Sequence, residues 1–156
     1  MKKQLDISQG HWSGVKADPT SYFGFIYQIT DKTTGQSYIG RKQFWMAKQK
    51  VTGCKSKSQD RRSPKWKECC WSASNWKVYK GSSKNLAAHM KEFPKHNYQY
   101  SILKQYASRG TLTYGELKAL WQHNVLTARL PNGDYKYFNR MIGAIKFRPN
   151  LTEDES

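Results

Sequence analysis

The sequence predicts a small α+β domain, an antiparallel three-stranded sheet flanked by helices and carrying a long basic insertion. Three observations predict it. Two apolar stretches, residues 22–30 and 36–40, flank the polar Asp31-Lys32-Thr33-Thr34-Gly35, which is the pattern of a hairpin whose loop closes on glycine. A third stretch, 98–106, sets Tyr98, Tyr100 and Ile102 between polar neighbours at the two-residue period of a half-buried strand. Two further segments carry cap residues followed by helical spacing.

In order along the chain, residues 1–20 mix polar and charged types with Gly10, Gly14 and Pro19 and show no periodicity. They read as an extension that either packs on the domain or stays mobile. The domain proper is expected over 21–148, starting with the hairpin. Residues 41–80 differ in kind, with twelve Lys/Arg against Asp60 and Glu68, interleaved with Phe44, Trp45, Trp66, Trp71, Trp76 and Tyr79. Cations among aromatic rings suit an arm that tracks phosphates and offers stacking platforms, and Lys48, Lys50, Lys55, Lys57, Arg61, Arg62, Lys65 and Lys67 are its candidate nucleic-acid contacts. A solvated loop anchored by its tryptophans is the blander reading. Ser82, Ser83 and Asn85 offer cap chemistry for a helix near 84–93, stopped by Pro94. Thr113-Tyr114-Gly115-Glu116 reads as a capping box opening a helix to about residue 126, with Leu117, Leu120, Trp121 and Val125 as its apolar face. Pro131-Asn132-Gly133-Asp134 marks a turn, residues 135–146 return as an irregular strand or short helix, and 149–156 form an acidic tail.

The chain has 156 residues, enough for one domain with a hydrophobic core, and a formal net charge of +16 from 27 Lys+Arg and 11 Asp+Glu. Such a surplus points to a polyanionic partner, nucleic acid before an anionic membrane surface. No apolar run approaches the roughly 18–20 residues that span a bilayer, and no signal-peptide core opens the chain, so a soluble cytoplasmic protein is expected. Cys54, Cys69 and Cys70 are odd in number and form no Cys-x-x-Cys pair. The nearest histidine, His89, lies nineteen residues past Cys70, so free thiols are expected in place of disulfides or zinc.

Gly24-Phe25-Ile26-Tyr27 followed by Tyr38-Ile39-Gly40 resembles the paired motif of the GIY-YIG endonuclease family. The strings Trp76-Lys77-Val78-Tyr79-Lys80-Gly81-Ser82-Ser83, Tyr114-Gly115-Glu116 and Tyr137-Phe138-Asn139 look like those of its phage-encoded members, so the resemblance spans about residues 22–145. It implies a DNA endonuclease using one divalent ion, Mg²⁺ or Mn²⁺, held by a glutamate. By position, Tyr27 and Tyr38 would be the paired phenols, Tyr27 activating the attacking water directly or through its partner, Glu116 would be the metal ligand, and Asn139 a residue that holds the site together. The family's first helix often carries a catalytic arginine; His89 falls at that position here, as a general base or merely a cap of the helix face, and Arg41 or Lys42, directly after Gly40, could supply the cation instead.

Those roles agree with the chemistry. Phosphodiester hydrolysis needs an activated water in line with the leaving oxygen and positive charge on the non-bridging oxygens. A phenol of pKa near ~10 is a poor base unless cations lower it, and a lone carboxylate leaves most of a magnesium shell to water and phosphate. Tyr27 and Tyr38 also read as a cross-strand aromatic pair, Glu116 as a cap residue and Asn139 as a turn residue, while His96 and His123 read as surface or helix-side histidines without a role. The expected activity is nicking or double-strand cleavage of DNA by a monomer or dimer. The rival reading is a non-catalytic nucleic-acid-binding protein on the same scaffold.

Overall fold

The computed structural model describes residues 8–47 and 71–156. Their elements are β1 (Trp12–Gly14), β2 (Gly24–Asp31), β3 (Ser37–Gln43), β4 (Trp45–Ala47), β5 (Trp71–Ala73), α1 (Lys84–Glu92), β6 (Tyr98–Tyr106) and α2 (Arg109–Gln122). The main sheet has four strands in the order β1-β6-β2-β3, and β4 pairs with β5 in a separate antiparallel ribbon. β2 runs antiparallel to both neighbours, whereas β1 lies parallel to β6. The three-stranded antiparallel sheet expected above thus gains a fourth, parallel strand from the N-terminal extension.

Three residues cannot display a period, so tertiary anchors decide β1. Trp12 is buried, its indole Nε1 donates to the Trp76 carbonyl at 2.5 Å, and the Val15 amide donates to Ile102 O at 3.2 Å. The N-terminal segment 8–20 therefore packs on the domain. β2 is central and buried on both sides, which is why Gly24-Phe25-Ile26-Tyr27 reads as a continuous apolar run without clean alternation. On one side Phe25, Tyr27 and Ile29 pack with Trp12, Trp76 and Leu86 of α1. On the other, Ile26 and Ile39 pack with Leu112 and Leu120 of α2 and with Val125. Burying each such side chain contributes about 1.5–3 kcal/mol.

α1 begins where the cap residues suggest: Ser83 Oγ accepts from the Leu86 amide at 3.2 Å. α2 begins earlier than expected. Ser108 is its N-cap, accepting from Thr111 N at 3.1 Å, and Thr111 completes the box. Thr113 lies in the second turn, its hydroxyl donating back to Arg109 O at 2.9 Å. The Thr113–Glu116 spacing imitates a cap that is not there. Trp121, counted in the apolar face, is 64% exposed, and the buried face runs through Leu112, Gly115 and Leu120. A Cβ built at Gly115 would collide with the Tyr106 ring, so the glycine sets how closely α2 approaches β6. Residues 135–146 form neither strand nor helix. They run as a strap along the open edge of β3, where Ser37 N donates to Lys136 O and Phe138 N to Ser37 O, each at 2.8 Å. No helix among the described residues is long and apolar enough to cross a membrane.

Candidate active site at the edge strand

β3 is an edge strand, and its two faces deliver different chemistry to one place. Tyr38 faces the α1 side, while Arg41, three residues on, faces α2. Along β3, an open cleft of about 470 Å³ is lined by both, together with Ser83 and Asn85 of α1, Glu116 of α2, and Asn139 of the strap. The first helical turn of α1, the middle of α2 and the strap converge here because each packs against the same short strand.

Tyr27 lies behind that wall. It pairs with Gly40 across the hairpin, and a β-bulge on β6 falls between the partners of Ile26 and Tyr27. A Cβ at Gly40 would lie 2.5 Å from the Tyr27 hydroxyl and 3.0 Å from Tyr38 Cε1, so the glycine of the second motif is the space the tyrosines occupy. The Tyr27 ring sits 6.1 Å from that of Tyr38 and 5.9 Å from that of Tyr79, a three-phenol cluster. Its hydroxyl is fully buried and has no hydrogen-bond partner among the described residues. Burial, reinforced by the neighbouring phenols, pushes the Tyr27 phenol far above its ordinary range. Burial also raises Tyr38, with an interaction from Ser82 offsetting part of the rise.

On the α2 side, Arg41 Nε lies 3.2 Å from Glu116 Oε2, and Arg41 also donates to the Thr113 hydroxyl. Burial raises the Glu116 carboxyl and Arg41 opposes that. Lys42 faces away from Arg41, its Nζ 4.0 Å from the centre of the Tyr79 ring, and burial lowers its pKa. Asn139 grips β3 at Ile39, between Tyr38 and Gly40: its Oδ1 accepts from Ile39 N at 3.0 Å and its Nδ2 donates to Ile39 O at 2.8 Å. That is the hydrogen-bonding of a strand supplied by one side chain.

The structure therefore gathers Tyr38, Arg41, Glu116 and Asn139 around one cleft, with Tyr27 packed behind Tyr38 and Lys42 beside Tyr79. His89 does not line it. Its Nε2 lies 2.7 Å from Asp31 Oδ2, and it borders an adjoining hollow that shares Asn85, Phe138 and Asn139 with the cleft. His96, assigned nothing from sequence, places Nδ1 2.7 Å from the same oxygen. Burial would raise Asp31, but the two histidines hold its carboxyl well below the usual range. Lys48, Lys50, Lys55, Lys57, Arg61, Arg62, Lys65 and Lys67, with all three cysteines, lie outside the described residues. In the sequence, Tyr79 reads as one of the aromatics of the basic segment and Ser82-Ser83 as cap residues, and neither is assigned to the site. The aromatic run ending in Gly81-Ser82-Ser83 is the available signal that they border the paired tyrosines.

A family model described as "Putative endonuclease segE, GIY-YIG domain" matches residues 11–142. No curated protein and no solved structure matches the chain. The matched span starts at β1, encloses both helices and ends in the strap just after Asn139, so it takes in Tyr38, Arg41, Glu116 and Asn139 of the cleft. The chain belongs to the GIY-YIG endonuclease family.

Proposed function

We propose that this protein is a divalent-metal-dependent DNA endonuclease and that the cleft along β3 hydrolyses the phosphodiester bond. One observation carries the reading: a phenol, a guanidinium and a partly buried carboxylate from β3 and α2 meet in one groove wide enough for a phosphate.

The residues fit a hard cation. Glu116 is a desolvated carboxylate whose Arg41 contact engages Oε2, and its neighbours in the cleft offer hydroxyl and amide groups. Mg²⁺ or Mn²⁺ bound at Glu116 would supply positive charge to the phosphate oxygens and favour ionisation of the attacking water. Tyr38, on the wall of the cleft, orients that water through its hydroxyl oxygen. Burial keeps the phenol protonated, so its service as a base depends on positive charge close by, which the bound ion would bring. The Arg41 guanidinium, 38% exposed, can turn from Glu116 to a phosphate oxygen, where a forked donor matches the anion. Tyr27 acts behind Tyr38 and Asn139 holds the backbone between them. His89, turned to Asp31, stays outside these steps. The basic stretch 48–67 supplies the grip on the DNA backbone.

Plasmid relaxation in Mg²⁺ against EDTA tests the reading. Wild type is expected to nick or cut only with the metal, and Glu116→Ala and Tyr38→Phe to lose about 10²–10⁴-fold in rate while still retarding DNA. Cleavage at the wild-type rate by Glu116→Ala would remove the carboxylate from the mechanism. A wild type that binds but never cuts would favour the non-catalytic reading.

A further inference from the structure

We propose that Asp31, His89 and His96 form a second cation site, for a borderline transition ion of the Zn²⁺ class, that fastens the end of β2 to the last turn of α1 and to the turn before β6. Three elements bring one ligand atom each to a common point, and these atoms all lie within 4.8 Å of one another. Two imidazoles and one carboxylate suit Zn²⁺, Co²⁺ or Ni²⁺ far better than Mg²⁺. The set differs in chemistry and position from the oxygen-lined cleft of Glu116.

Asp31 is built for the role. It is fully buried, and its Oδ1 accepts from Thr33 N at 2.8 Å, which aims Oδ2 at the two rings. Phe93 stacks on His96 at 4.6 Å, and Phe138 lies 4.9 Å from His89, so an aromatic shell surrounds the polar atoms. A carboxylate only accepts, so without metal the facing nitrogens His89 Nε2 and His96 Nδ1 carry the protons. Binding requires each proton to move to the ring's other nitrogen, and neither of those has a hydrogen-bond partner among the described residues. Four-coordinate bonds of about 2.0–2.1 Å put donor atoms roughly 3.3 Å apart, so the 2.7 Å separations must open by about 0.6 Å. His96 can give way: it sits on a turn, and its side chain is 22% exposed, which also opens a path for the ion and a place for a water ligand.

The full chain, stripped of metal, is titrated with Co²⁺ and separately with Zn²⁺. One equivalent of Co²⁺ is expected to give the intense visible bands of a four-coordinate site without thiolate charge-transfer absorption. Zn²⁺ is expected to raise the melting temperature progressively with its free concentration. His96→Gln should keep native circular dichroism yet weaken both responses at least ~100-fold, since losing even an outer-shell partner costs 10–100-fold. Glu116→Gln should leave both untouched, which separates this site from the cleavage mechanism. Thiolate bands would move the ion to the cysteines and overturn the proposal. So would a weak six-coordinate spectrum, or responses unchanged in His96→Gln; any of these leaves the three residues as a hydrogen-bonded clamp only.

Discussion

At Tyr27 a buried hydroxyl has no partner among the described residues, an arrangement that costs stability. Tyr27→Phe is therefore expected to raise the unfolding free energy, by up to about 1 kcal/mol, while cleavage falls by about 10²-fold or more. Chemical denaturation and plasmid relaxation on the same variant check the two halves, and loss of stability together with full activity would contradict both. Gly40→Ala is expected to do the opposite to stability. Its methyl would meet Tyr27 Oη at 2.5 Å, and overpacking of a tight core costs about 1–3 kcal/mol. The variant should unfold earlier and cut poorly, because relief of the clash displaces both phenols. These residues are legible in the sequence because motif spacing encodes them: Gly40 and Tyr27 pair across one hairpin, so sequence order translates directly into contact. The Asp31–His89–His96 group is not. Its two histidines stand 58 and 65 positions from Asp31, and only the return of β6 alongside β2 brings them together.

Among the elements, the edge strand β3 depends on the strap, and the strap depends on Asn139. Asn139→Ala removes two hydrogen bonds to Ile39 and should cost about 1–3 kcal/mol. Because Ile39 stands between Tyr38 and Gly40, the loss should lower kcat more than it weakens DNA binding, a split that single-turnover cleavage against gel retardation would show. Asn139→Asp, which keeps the acceptor for Ile39 N but sets a carboxylate oxygen against Ile39 O, should cost at least as much as the alanine. A residue near the C-terminal end supports the start of α2 in a similar manner. Glu155 is buried at the start of that helix, where Oε1 accepts from Ala107 N at 2.7 Å and from the Thr111 hydroxyl at 3.2 Å. Its charge complements the helix dipole. Elements whose signal is local are readable: α1 from its serine cap and Pro94, β6 from the alternation of Tyr98, Tyr100 and Ile102. The start of α2 is misread because Thr113 and Glu116 reproduce a cap spacing that Ser108 and Thr111 fill. The two-stranded ribbon leaves no pattern to read, since each of its strands is only three residues long.

For the molecule as a whole, β1 decides how firmly the sheet is closed, and its anchors meet the tyrosine cluster from behind. His11 stacks on Tyr100 with ring centres 3.9 Å apart, and its Nε2 lies 2.9 Å from the Tyr79 carbonyl, so the N-terminal segment and the segment leading into α1 support each other. Burial lowers the His11 pKa; the Tyr79 carbonyl works against this and Lys80 with it. The folded state thus binds the proton less readily than the unfolded chain. The contribution of neutral His11 is fully present above the unfolded value near ~6.5 and is lost as pH falls through the lower folded value. Between about pH 7 and about pH 5 the wild type should lose melting temperature faster than His11→Gln, whose side chain cannot take a proton there. Other histidines titrate over the same range, so the informative quantity is the difference between the two slopes. Equal slopes would mean that the ring is as solvated as in the unfolded chain and that β1 is held by Trp12 and its pairing with β6, without His11. A larger slope in the wild type would identify His11 as the protonation-sensitive latch between the fourth strand and the backbone that carries Tyr79.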